Sequence, residues 1–265
     1  MSRINQRWAA LSKDAQKAII PYITPEFPLR DITVPLVHAL EQAGADFMEI
    51  GIPFSDPLAD GPTIQHSSSV ALKNGVTLKK VLSIVSEIRT KSTVPILLMG
   101  YINPLLRFGL ENFFMEAQTA GVDGLILADL PPEESSEVRA LSRQHNISNV
   151  FLIAPTSSDE RIQTIDSYST DFSYCVSVTG VTGTRENFEQ NSELLKYLSR
   201  VKASVSKPFV VGFGISKPEH FKAVCEYADG AVVGSALIER LDGAKTIETA
   251  VHAAGDFLRE FRNSD

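Results

Sequence analysis

What the chain has little of narrows the field first. Two cysteines in 265 residues, Cys175 and Cys225, are too few and too far apart for a disulfide framework or a zinc site, and both read as reduced core residues. Positive charge is in deficit. Against 32 Asp and Glu stand 25 Lys and Arg, a net charge of −7, which argues against a nucleic-acid or anionic-membrane binder, because both need a positive field. No apolar run approaches the roughly 18 residues of a spanning helix, and residues 1–18 lack the apolar core of a signal peptide, so the cytoplasm is the expected location. Pro/Gly/Ser-rich linkers are missing as well, which favours one domain over residues 1–265. The histidines His38, His66, His145, His220 and His252 are scattered with no two at ligand spacing, so no metal is expected.

What is present is a recurrent pattern. Short apolar runs at 18–23, 47–51, 96–99, 124–128, 150–153, 172–176, 209–212 and 230–234 lack a polar face. Strands buried on both sides in a parallel sheet need that character. Between them lie segments with helical spacing at 32–43, 78–89, 112–120, 133–144, 192–203 and 218–227. Two of these helices run into similar endings, Gln42-Ala43-Gly44-Ala45-Asp46 and Thr119-Ala120-Gly121-Val122-Asp123, where glycine makes the turn before the next strand. An open doubly wound sheet is the alternative, but the early G-x-G-x-x-G turn it often carries is missing. The expected fold class is α/β, a single (β/α)8 TIM barrel with an extra N-terminal helix, and about 250 residues is the usual size of such a barrel.

A barrel confines chemistry to the C-terminal ends of its strands and the loops after them. In Phe47-Met48-Glu49-Ile50-Gly51 alternation puts Phe47, Glu49 and Gly51 on one face, and if Met48 and Ile50 meet the helices, Glu49 points inward. Burial there raises a carboxyl pKa and suits it to proton transfer near neutrality; a structural Glu paired with a buried donor is the competing reading. The following loop, Gly51-Ile52-Pro53-Phe54-Ser55-Asp56-Pro57-Leu58-Ala59-Asp60-Gly61-Pro62, adds two carboxylates and is a candidate lid, although an Asp before Pro or Gly is ordinary turn chemistry. In the last third, glycine turns follow three successive runs: Thr179-Gly180-Val181-Thr182-Gly183, Gly212-Phe213-Gly214-Ile215-Ser216 and Gly234-Ser235. Having no Lys or Arg, they point to a phosphate held by backbone N–H groups and a short helix N-terminus. No lysine stands at the end of a strand for a Schiff base. Acid/base chemistry on a phosphorylated substrate is what remains.

The block from Phe47 through Gln65 closely resembles the signature of tryptophan synthase α subunits. The likeness continues through Met99-Gly100-Tyr101-Ile102-Asn103-Pro104, Ala128-Asp129-Leu130-Pro131, Tyr174, residues 180–183, residues 212–216 and Gly234-Ser235. The resemblance implies a lyase that cleaves indole-3-glycerol phosphate to indole and glyceraldehyde 3-phosphate without metal or organic cofactor. It implies Glu49 as general acid and base, Asp60 as the carboxylate facing the indole nitrogen, and Tyr174 as an auxiliary polar group. It assigns the phosphate to Gly183, Gly212, Gly214, Gly234 and Ser235, and the indole to Tyr22, Met99, Ile126, Ile153, Tyr174 and Phe213. Thr182 is expected to close over the site and bond Asp60. Family members pair with a pyridoxal-phosphate-dependent β subunit in an αββα assembly, the cofactor belonging to that partner, and Pro53, Asp56 and the loop at Asn103 are the expected contacts. One departure stands out: where the family usually has an Asp-Pro after a small residue and glycine, this chain has Thr24-Pro25-Glu26-Phe27-Pro28, so the loop acid is displaced, with Glu26 a candidate substitute.

Overall fold

The computed structural model describes residues 1–176, 192–212 and 214–263. Its strands are β1 (Ala18–Ile23), β2 (Met48–Gly51), β3 (Ile96–Gly100), β4 (Gly124–Leu127), β5 (Ser148–Val150), β6 (Leu152–Ile153), β7 (Ser173–Val176), β8 (Phe209–Gly212) and β9 (Gly230–Val233). All described pairings are parallel, in the order β5-β4-β3-β2-β1-β9-β8-β7-β6. The two ends of that order, β5 and β6, are successive pieces of one extended segment broken at Phe151. There the backbone N–H turns aside to the Ser169 hydroxyl, 3.1 Å away, and the carbonyl accepts from Tyr174 N–H at 3.2 Å. The sheet therefore closes on itself as an eight-stranded barrel, and the expected run at 150–153 begins earlier, at Ser148.

The helices around it are α1 (Arg3–Lys13), α2 (Thr33–Gln42), α3 (Pro62–Lys73), α4 (Leu78–Arg89), α5 (Ile102–Phe108), α6 (Leu110–Ala120), α7 (Ser136–Gln144), α8 (Asp159–Tyr168), α9 (Ser192–Ser204), α10 (Pro218–Cys225), α11 (Ser235–Leu241) and α12 (Ile247–Arg262). Helix α4 shows why these segments fold as they do. The Thr77 hydroxyl accepts from Lys80 N–H to cap the first turn, and Val81, Leu82, Ile84, Val85 and Ile88 form one buried stripe against the sheet. Gly121 ends α6 in the left-handed region at φ 88°, as the glycine before the next strand requires.

The extra helix α1 closes the N-terminal mouth of the barrel. Its Ile4, Trp8 and Leu11 are buried, and the Trp8 ring centroid lies 5.0 Å from Phe47 and 5.6 Å from Phe172 at the feet of the strands. Around this end, two aspartates tie N–H groups at the start of β1 and β3 to distant cations. Asp46 accepts from Ile19 N–H at 2.7 Å and pairs with Arg7 and Arg262. Asp123 accepts from Ile96 N–H at 2.8 Å and pairs with Arg3 and Arg89. These carboxylates are buried, so the ion pairs and amide bonds offset their desolvation. They belong to the stability face of the barrel, away from the chemistry.

In the departing loop after β1, Glu26 is buried and takes the left-handed conformation, φ 57°, ahead of a cis peptide at Phe27-Pro28. Its carboxylate accepts from Asp31 N–H and from the Thr33 hydroxyl at 3.1 Å. The acid at position 26 thus serves the entrance of α2 and is not turned toward the lid.

Candidate active site

At the C-terminal mouth the interior face of β2 decides the layout. Glu49 is 1% exposed, and neither of its carboxylate oxygens has a hydrogen-bond partner among the described residues. An unpartnered buried carboxylate strongly favours its neutral form. Burial, and then the charge of Asp60, push its pKa from 4.5 to about 8. Among the described residues no basic side chain neutralises it, which separates Glu49 from the buried, ion-paired aspartates at the opposite end. Among the described residues, no donor pairs with Glu49.

Asp60 comes to the same place from the loop that follows. Only partly covered, it is raised by burial from 3.8 to about 6, with a Tyr101 hydroxyl hydrogen bond opposing the rise. Two neighbouring carboxyls thus sit in different environments, one dry and one bonded, and will ionise in sequence as a coupled pair.

Tyr101 was not singled out as a site residue in the sequence, yet it organises residues 52–61. Its hydroxyl accepts from Ala59 N–H at 3.0 Å and bonds Asp60, and its ring lies 5.4 Å from that of Phe54. The loop is further held by Ile52 N–H donating to Met99 O at 2.7 Å and by the Gln65 side-chain amide donating to Asp60 O at 2.9 Å. The available signal was position: Tyr101 directly follows β3, where barrel sites are built.

Two phenols flank the acid, each seated on a glycine. Tyr22 is the register partner of Glu49 across β1 and β2, and a Cβ placed on Gly51 would lie 2.1 Å from its hydroxyl. A Cβ on Gly212 would lie 2.0 Å from the hydroxyl of Tyr174. Glycine at 51 and 212 is therefore required by close approach of a ring. Burial first, with the charge of Glu49 second, keeps Tyr174 protonated far above the usual phenol range.

Register also sorts the apolar candidates. Met99 is paired with Gly51 and with Ile126, which sets all three on the interior face that Tyr22 reaches. Ile153 is different. Its partner is Cys175, whereas Leu152 pairs with Tyr174, and Cys175 bonds Tyr197 of α9 on the outer side. Ile153 is thereby corrected to the helix-facing side, and Leu152 takes the interior position, because neighbours in parallel register point the same way. The break at Phe151 leaves this phase hard to read from the apolar run alone.

The glycine turns lie where a barrel phosphate site is expected. Gly214 is exposed with φ 81° after β8, and Gly234 leads into α11 with Ser235 exposed at its start. Gly183, Thr182 and Phe213 lie outside the described residues. Of the lid residues, Pro53 is buried and Asp56 exposed. Asn103 is exposed but sits in the first turn of α5, so the expected loop there is a helix. No group of three or more His, Cys, Asp or Glu suited to a metal exists among the described residues, nor does any described helix have the length and apolarity to cross a membrane.

With this geometry in hand, the family model described as tryptophan synthase alpha chain matches residues 8–264. The chain belongs to the tryptophan synthase alpha chain family. A tryptophan synthase alpha chain of Chlorobium phaeovibrioides is 45% identical over 263 residues, covering 97% of this chain and 98% of its own length. One from Chloroflexus aggregans is 46% identical over 261 residues, covering 98% and 97%. Among solved structures, the tryptophan synthase subunit alpha of Legionella pneumophila superposes with a TM-score of 0.89 at 37% identity, over all of this chain and 98% of that one. A chain from the tryptophan synthase α2β2 complex of Pyrococcus furiosus gives 0.86 at 42% identity, over 93% and 98%. The tryptophan synthase alpha likeness thus spans the whole barrel, including the loop that carries Asp60.

Proposed function

We propose that this tryptophan synthase alpha chain cleaves indole-3-glycerol phosphate to indole and glyceraldehyde 3-phosphate, and that Glu49 and Asp60 carry the reaction. The observation behind this reading is the buried, unpartnered Glu49 carboxyl with its pKa pushed to about 8 beside a partly wet Asp60 near 6. Near neutrality Glu49 holds a proton and Asp60 is ionised. Glu49 donates that proton to C3 of the indole, and the positive charge that develops on the ring nitrogen is stabilised by Asp60. The bond from C3 to the glycerol carbon then breaks, its electron pair restoring the indole, while the adjacent hydroxyl becomes the aldehyde and returns its proton to the Glu49 carboxylate. The acid is regenerated, with no net proton change and no redox step.

Tyr174 lies against Glu49 as an auxiliary polar group, and Tyr22, Met99, Ile126 and Leu152 line the indole side. The turns at Gly212, Gly214, Gly234 and Ser235 receive the phosphate through backbone N–H groups. A β subunit that carries pyridoxal phosphate accepts the indole in an αββα assembly and meets this chain at the lid residues Pro53 and Asp56 and at Asn103. The expected compartment is the cytoplasm. Indole release from indole-3-glycerol phosphate, measured alone and with a β subunit, tests the assignment with Glu49→Gln as the blank. Slow release that the partner accelerates is the expected result. Fast release by the isolated chain would make it a standalone lyase, and no release in either setting would overturn the assignment.

A further inference from the structure

Tyr22 does more in this barrel than fill it. Its Cβ lies 3.4 Å from where a Cβ of Gly234 would stand, and its hydroxyl occupies the side-chain space of Gly51, the next interior position of β2 after Glu49. The ring therefore spans the gap between the turn assigned to phosphate and the strand that carries the acid. A substrate held at those two ends must run its three-carbon chain along this ring, so the phenol oxygen comes beside the carbons nearest the acid.

A chain of buried hydroxyls lies behind the phenol. Ser67 is buried in α3 and donates to Ile64 O at 2.9 Å. Its oxygen lies 2.7 Å from that of Thr24, and the two hydroxyls share a hydrogen bond. Thr24 in turn shares a side-chain hydrogen bond with Tyr22, which opposes the rise in the phenol's pKa. One hydrogen bond ties the phenol to this buried chain, and its remaining hydrogen-bonding capacity serves the interior. Burial above all, then the charge of Asp60, holds Tyr22 protonated far above the usual range, so the phenol stays neutral.

We propose that Tyr22 is a specificity-determining residue whose hydroxyl hydrogen-bonds the middle hydroxyl of the substrate's glycerol chain, turning the neighbouring hydroxyl toward Glu49. This rests on the α-reaction assignment made above. No bond is made or broken at Tyr22; it selects and orients.

Tyr22→Phe keeps the ring and removes only the oxygen. Binding is measured in a Glu49→Gln background, where turnover is blocked, for indole-3-glycerol phosphate and for its 2′-deoxy analogue, which lacks only the middle hydroxyl. The added Tyr22→Phe change is expected to weaken the parent compound about tenfold, the scale of one buried hydrogen bond, and to leave the analogue within about twofold. With Glu49 intact, Tyr22→Phe lowers kcat/KM for indole release by about tenfold or more. Equal weakening of both ligands would reduce Tyr22 to packing and overturn the proposal, and so would unchanged binding of both. If the wild-type chain cleaves and Tyr22→Phe cleaves equally well, only this proposal fails; if the wild type releases no indole with or without a β subunit, the assignment beneath it fails.

Discussion

The strongest consequence of an unpartnered buried acid is thermodynamic, and Glu49→Gln exposes it. Glu49 titrates at 4.5 unfolded and at about 8 in the native barrel. Below pH 4.5 both states hold the proton and its burial is without ionic penalty. Above that the unfolded chain releases the proton while the native one keeps it, so stability falls as pH rises, by about 1.4 kcal/mol per pH unit, until the folded pKa is passed. The loss reaches about 3 kcal/mol at pH 7 and about 5 kcal/mol once pH exceeds 8, on the order of a third of a typical domain's stability or more. Glutamine cannot ionise, and its amide replaces a protonated carboxyl of the same shape. Urea unfolding followed by circular dichroism, run on both proteins from pH 4.5 to 8.5, should show Glu49→Gln gaining on the wild type steadily with pH. Contributions from other groups, Asp60 included, cancel to first order in the difference. A difference that stays flat across that range would show that Glu49 ionises normally in the native state, and the proton-donor role would fall with it.

The same pair sets the activity profile. Turnover requires Asp60 ionised and Glu49 protonated, so kcat/KM should rise through about pH 6 and fall through about pH 8, and a profile still rising at pH 9 would refute that assignment. Tyr101→Phe frees the Ala59 N–H and the Asp60 carboxylate at once; steady-state kinetics should show about a tenfold loss of kcat/KM, with thermal stability nearly unchanged. At the other end of the barrel, Asp46→Ala leaves Arg7, Arg262 and the Ile19 N–H without their shared acceptor. Denaturant unfolding should lose about 3–5 kcal/mol, while indole release by the protein that remains folded is unaltered.

Much of this protein was determined by local sequence. The apolar runs at 18–23 and 209–212 coincide with β1 and β8, since a strand buried on both faces can be written only in apolar residues. Helix α4 falls at 78–89 as its spacing and the Thr77 cap dictate, and Glu49 was legible as an inward acid from alternation along a four-residue strand. Helices α3, α5, α8 and α12 were not marked out. Serine-rich α3 has little apolar contrast between its faces, and α5 is a single short stretch between two glycines. Tertiary structure decided what spacing could not carry. Closure brought Tyr22 and Tyr174 from distant parts of the chain to either side of Glu49, and it seated each ring on a glycine, Gly51 at the start of the lid loop and Gly212 in the expected phosphate cradle. It placed Tyr101 on Asp60, turned Glu26 toward α2, and fixed the phase of 152–153 through pairing with β7. A raised pKa is likewise a property of assembly: glutamate is an ordinary acid until the barrel removes its water and brings the charge of Asp60 beside it.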